Sequence, residues 1–129
     1  MRNIGIAGFG TVGQGFFSQI NKNFKNFKVI QIAVKNVKKK RKINLKNIKV
    51  TSKVQELAIN PNIQVLVECI GGSSGAAYKL VKTAIENKKH IITANKALLA
   101  IHGNELVKLA EKNNVSISYE AAIACLLYT

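Results

Sequence analysis

Gly8, Gly10 and Gly13 set a GxGxxG spacing inside the stretch RNIGIAGFGTVGQGFF, Arg2 to Phe17. This spacing suits the holding of a pyrophosphate. The first glycine permits a tight turn, the second lets main chain approach phosphate, and the third lets the next helix pack closely on the strand before it. A helix N-terminus then adds free N–H groups and a partial positive charge. The motif has both flanks it requires. Ile4, Gly5, Ile6 and Ala7 read as a short buried strand, and Val12, Phe16, Phe17, Ile20 and Phe24 recur along one helical face. The plainer reading is a structural βα turn, and the flanks favour dinucleotide binding over it.

Three further residues carry charge where it could act. The end of the second strand, ~20 residues past the glycines, is where a carboxylate would grip the adenosine ribose hydroxyl of NAD and a base would take the 2′-phosphate of NADP. Lys35 and Asn36 occupy that slot, and the chain contains no aspartate at all. NADP is therefore expected over NAD, with Lys35 facing the phosphate and Lys38 or Arg41 as further candidates. Lys96 follows HIITAN, and a lysine there could move a proton if partly desolvated, or touch ribose or substrate. Glu68 interrupts an otherwise apolar run, IQVLVECI. It must lie at the strand's end, reach solvent or be hydrogen-bonded, and a structural or supporting role is expected.

These positions need elements to hold them. The first helix is expected from Thr11 to Asn23 and a second strand over Val29 to Val34. Ile48 to Thr51 reads as a short strand, and Val54, Leu57, Ala58 and Ile59 as a short helix that ends before Pro61. Ile63 to Ile70 is apolar nearly throughout, as a strand covered on both faces requires. Gly71, Gly72, Ser73, Ser74 and Gly75 form a second βα loop, with Ser73 or Ser74 capping the next helix. That helix buries Ala77, Leu80, Val81, Ala84 and Ile85 and ends at Lys88 and Lys89. His90 to Ala94 is the fifth strand. A helical turn over Ala97 to Ala100, a separate helix over Glu105 to Asn113 and a strand over Val115 to Tyr119 follow.

Strand and helix thus alternate along residues 1–129, which read as one dinucleotide-binding domain. The fold class is α/β, a doubly wound, Rossmann-like parallel sheet of expected order 3-2-1-4-5-6. In such sheets ligands lie outside the carboxyl ends of the strands, where Gly8 to Gly13, Lys35, Gly71 to Gly75 and Thr93 to Lys96 all fall.

Composition narrows the alternatives. No run approaches the ~20 apolar residues of a membrane span, and the N-terminus enters a strand at once, so a cytoplasmic protein with no membrane partner is expected. Cys69 and Cys125 are the only cysteines and there are two histidines, which suggests neither a disulfide framework nor a zinc site. No nucleophile elbow, HExxH or GK[ST] ending is present. The net charge of +14 is concentrated: eight of the twenty basic residues and no acid lie between Lys35 and Lys49. A solvated loop or a phosphate site accounts for that run. Nucleic-acid binding is the less favoured account, because the segment holds no aromatic residue to stack on bases.

Several blocks together resemble the N-terminal half of homoserine dehydrogenase. They are GFGTVGQG at Gly8 to Gly15, VKNVKKKR at Val34 to Arg41, VLVECIGG at Val65 to Gly72, KKHIITANKALLAIHGNEL at Lys88 to Leu106, and YEAAIA at Tyr119 to Ala124. TANKALLA is the most specific. The resemblance implies an oxidoreductase of amino-acid biosynthesis, on the route to threonine and methionine, that reduces aspartate 4-semialdehyde to homoserine with NAD(P)H. It implies that Lys96 lies beside nicotinamide and substrate, that Thr93 contacts the cofactor, and that Phe9, Thr11 and Val12 offer main chain to the dinucleotide with Gly8, Gly10 and Gly13. It also implies a base at Lys35 for the 2′-phosphate, cofactor contacts at Gly71 and Gly72, and a sodium ion held partly by Glu120 and Ile123.

The sequence departs from the family after YEA. Cys125 and Leu126 stand where glycines are expected, the following proline is absent, and the chain ends at Thr129. The expectation is a truncated product that binds dinucleotide and turns over little or no substrate unless the missing half is supplied, with most of the family's dimer interface absent. The rival readings are a non-catalytic dinucleotide-binding module and, less favoured, a basic nucleic-acid binder.

Overall fold

The computed structural model describes residues 2–23, 26–38, 45–71 and 75–119. In chain order these form β1 (Arg2–Ala7), α1 (Thr11–Asn23), β2 (Phe27–Ala33), β3 (Lys49–Thr51), α2 (Gln55–Ile59), β4 (Val65–Glu68), α3 (Ala76–Glu86), β5 (His90–Thr93), α4 (Lys96–Lys112) and β6 (Ile117–Tyr119). The strands make one parallel sheet in the order β3-β2-β1-β4-β5-β6, as the alternation of elements predicts. The chain moves one way from β1 to β3, then crosses back beyond β1 to β4. With right-handed crossovers this reversal sends the later helices to the opposite face.

The core divides accordingly. Phe16, Phe17 and Ile20 of α1 pack with Ile4, Ile6, Val29, Ile32, Val65 and Val67 on one face. Leu57 of α2, Leu80, Val81, Ala84 and Ile85 of α3, and Leu98, Leu106 and Ala110 of α4 pack with Ala7, Ala33, Leu66 and Ile91 on the other. Apolar side chains cover both faces, so the strands carry apolar residues in continuous runs. One irregularity keeps β2 in phase: Val29 pairs with Ile4 but Gln31 pairs with Gly5, which leaves Ile30 as an extra residue at a bulge. Buried Gln31 then faces the α2 side and accepts from Asn60 Nδ2 at 2.9 Å.

Several sequence expectations are corrected. The turn at Ala97 to Ala100 and the helix at Glu105 are one continuous helix, α4, which passes straight through Gly103. The cost of a mid-helix glycine is offset by burial of Leu98, Leu106 and Ala110 along one side and by Asn95, whose Oδ1 accepts from Leu98 N at 3.0 Å. Helix α3 follows Gly75, at φ +66°, with no side-chain cap, and Ser73 and Ser74 lie outside the described residues. That helix ends at Glu86, not at the lysine pair, and Lys88 adopts φ +63°. Lys89 turns inward: it is buried, and its Nζ donates to the carbonyls of Asn60 at 2.6 Å and Ile63 at 2.8 Å. The short helix is α2, which buries Leu57 and Ala58 and leaves Ile59 60% exposed.

Candidate dinucleotide site

Because every strand is parallel, the loops that leave their carboxyl ends gather at one rim. The turn from β1 to α1 lies at its centre. Gly8 sits at φ +90°, its N–H donates to Ala33 O at 2.9 Å, and a Cβ there would lie 2.7 Å from the carbonyl oxygen of Cys69. Only glycine fits this turn. Phe9 points inward and meets the Phe17 ring edge-on, with centroids 5.7 Å apart, while Gln14 Nε2 braces the turn by donating to Phe9 O at 3.0 Å.

Gly10 is different in kind. A Cβ on Gly10 would find no atom within 4 Å, and the residue lines a cleft of about 660 Å³. Helix α1 begins directly behind it: Gln14 N donates to Gly10 O at 2.9 Å. The N–H groups of Thr11, Val12 and Gly13 in that first turn have no acceptor within the helix, which leaves them free for an anion.

The same cleft is walled by Lys35, Asn36 and Ser52 on the β2–β3 side and by Cys69, Ile70 and Gly71 on the β4 side. Val34 N donates to Thr51 O at 2.8 Å, which carries the sheet pairing up to the residue before Lys35. Asn36 Oδ1 then accepts from Lys38 N at 3.1 Å and closes a local turn. Lys35 is exposed, and the described lining contains no carboxylate. The electrostatic balance of the cleft therefore favours an anionic ligand.

At the carboxyl ends of β4 and β5 the polar groups form a buried chain. Glu68 is fully buried; its Oε2 accepts from Ile70 N at 2.9 Å and Gly71 N at 3.0 Å, and its Oε1 accepts from Thr93 Oγ1 at 2.7 Å. Thr93 Oγ1 accepts in turn from Asn95 N at 3.0 Å. Asn95 caps α4, whose first residue, Lys96, is exposed. Burial pushes the neighbouring Cys69 thiol up to about 12, and the negative charge of Glu68 adds to that.

The structure therefore brings Gly8, Phe9, Gly10, Lys35 and Gly71 to one cleft, with Thr11, Val12 and Gly13 in the helix turn behind it. Thr93 and Lys96 lie at the same edge but two strands from β1, outside the cleft lining. The Thr93 hydroxyl faces Glu68. Gly72, Arg41, Glu120 and Ile123 lie outside the described residues. Among the described residues no cluster of three or more His, Cys, Asp or Glu side chains is placed to hold a metal ion. Sequence reasoning missed Ser52 and the position of Cys69 on the cleft. Both directly follow strands, and being the first residue past a parallel strand was the available signal.

A family model described as the homoserine dehydrogenase NAD binding domain matches residues 8–120. The homoserine dehydrogenase of Pseudomonas aeruginosa is 40% identical, over 94% of this chain and 29% of its own length. That of Bacillus subtilis is 33% identical, over 94% of this chain and 30% of its own length. A crystal structure of S. aureus homoserine dehydrogenase superposes with a TM-score of 0.84 at 37% identity, covering 93% of this chain and 32% of that one. The chain thus spans less than a third of the length of these relatives. The glycine turn, the strand order and the matched stretch agree, and the chain belongs to the homoserine dehydrogenase family, in the part that forms its NAD-binding domain.

Proposed function

We propose that this chain binds NADP(H) across the rim of its sheet and serves as the nicotinamide-holding part of a cytoplasmic oxidoreductase that interconverts aspartate 4-semialdehyde and homoserine. The observation that carries the reading is the open space at Gly10. The protein itself forces glycine at positions 8 and 13, but nothing in the protein requires it at 10. A ligand approaching the main chain supplies the missing reason.

The residues divide the work along the sheet. The α1 N-terminus, at Thr11 to Gly13, holds the pyrophosphate through main-chain N–H groups, and Gly10 lets it come close. Lys35 offers a cation at the end of β2, where a 2′-phosphate would lie and where NAD would require an acid. Gly71 and its neighbours bound the cleft on the β4 side. When bound, the dinucleotide supplies the hydride. Lys96, at the end of β5, orients the aldehyde or exchanges a proton at its oxygen.

Titration of the purified chain with NADPH and with NADH tests this reading by fluorescence or calorimetry. Binding of NADPH, tighter than that of NADH, is expected. Failure to bind either overturns the assignment.

A further inference from the structure

The geometry points to Glu68 as a positioning residue that ties Ile70 and Gly71, just past β4, to the β5–α4 junction, and so sets where Lys96 stands relative to the dinucleotide. The inference rests on the dinucleotide reading above and goes beyond it by assigning a role to a residue outside the cleft.

A carboxylate with no exposure is expensive to bury, and three donors compensate it here: two main-chain N–H groups from the loop and one hydroxyl from the next strand. The direction of each bond follows from the donor inventory. Thr93 Oγ1 accepts the Asn95 N–H, and its single proton goes to Glu68 Oε1. Both carboxylate oxygens thus act only as acceptors. A strand end that needed nothing more than an N-cap would be served by Asn95 alone, which already takes Leu98 N. The added chain from Gly71 through Glu68 and Thr93 to Asn95 ties a cleft wall to the residue that precedes Lys96. Gly71 sits at φ +78°, a conformation costly for other residues, and the carboxylate holds its N–H there.

Glutamine at position 68 retains one acceptor oxygen and turns an NH₂ group towards either the two main-chain donors or the Thr93 hydroxyl. Either way, one link of the chain is lost. Valine at 93 removes the hydroxyl at similar shape, and serine keeps it.

Affinity for NADPH and for adenosine 2′,5′-bisphosphate is measured for the purified chain and for Glu68→Gln, Thr93→Val, Thr93→Ser and the double variant Glu68→Gln/Thr93→Val. Glu68→Gln and Thr93→Val are each expected to weaken NADPH roughly tenfold, and Thr93→Ser by no more than about twofold, the scale of one buried hydrogen bond lost or kept. The double variant is expected to be no weaker than the worse single one, because both break the same chain. The bisphosphate lacks the nicotinamide half that would lie towards Lys96 and keeps its affinity in every variant. Equal weakening of both ligands marks a general loss of structure and overturns the proposal, as does additivity of the two single changes or wild-type NADPH affinity in either. If Glu68→Gln does not fold, Thr93→Val against Thr93→Ser decides by itself. A wild-type chain that binds neither ligand refutes the dinucleotide reading instead, whatever the variants do.

Discussion

A Cβ added to Gly13 would stand 2.2 Å from the carbonyl oxygen of Gly8, closer than any non-bonded carbon and oxygen can come. The first turn of α1 therefore rests directly on the main chain of the β1–α1 turn. That contact holds the helix N-terminus at the rim. Gly13→Ala is expected to destabilise the fold by about 3 kcal/mol or more, since backbone must move to admit the methyl group. Gly10→Ala, with open space around it, should leave the melting temperature unchanged or slightly raised and weaken NADPH binding instead. Thermal melts alongside NADPH titrations of the two variants check the contrast.

Lys35 is expected to decide between the two cofactors. Lys35→Glu places an acid at the end of β2, so NADPH affinity should fall by about tenfold or more while NADH affinity holds or rises. The wild-type preference for NADPH should also shrink as salt is raised, because an exposed cation is screened. Paired titrations at low and high ionic strength read both effects.

Lys96 is exposed on the first turn of α4 and makes no contribution to either core face. Lys96→Ala should leave folding intact and, with the family's missing substrate half supplied, lower the rate of semialdehyde reduction by roughly a hundredfold, the scale of a positioned proton donor. A rate equal to wild type would reduce the chain's role to dinucleotide binding.

The Cys69 thiol, pushed up to about 12 against an ordinary 9.0, stays protonated in the folded protein where an unfolded chain would ionise. The stabilisation this group contributes is full below pH 9 and is lost as pH rises towards 12, because the unfolded state releases the proton first. Wild type should lose melting temperature more steeply than Cys69→Ala between pH 9 and 11. At neutral pH, alkylation of Cys69 followed by peptide mass spectrometry should be slow compared with an unfolded control.

Burial lowers the affinity of Lys89 for its proton, the opposite case. Unfolding restores the ordinary 10.5, so the unfolded chain binds more protons just below that pH and stability from this group rises as pH climbs towards it. Lys89→Met keeps the stem and removes the ammonium donor from the carbonyls of Ile63 and of Asn60, the latter keeping only the Ile63 N–H, at a cost of about 1–3 kcal/mol. Urea unfolding at pH 7 and pH 10 should show that cost and a smaller gain with pH in the variant.

Much of this was legible along the chain. The GxGxxG run, the apolar strands and the spacing of Ala77, Leu80, Val81, Ala84 and Ile85 are local patterns, and local patterns specify element type and the face each element buries. The alternation of strand and helix then leaves few topologies, so the order of the sheet and the single edge along which Gly10, Lys35 and Lys96 lie follow from handedness. The absence of an acid beside Lys35 is likewise a sequence fact, and it directs the cofactor reading.

Tertiary structure decided what depends on partners distant in the chain. The string His102-Gly103-Asn104 reads as a break, yet burial of Leu98 and Leu106 against the sheet carries one helix through it. Glu68 is compatible with several roles in sequence, and only the arrival of Thr93, twenty-five residues later on the adjacent strand, gives its second oxygen a donor. Lys89 reads as solvated until the carbonyls of Asn60 and Ile63 are brought over it. Polar groups have no periodicity that announces their partners, because a hydrogen bond is satisfied by position in space and not by spacing along the chain.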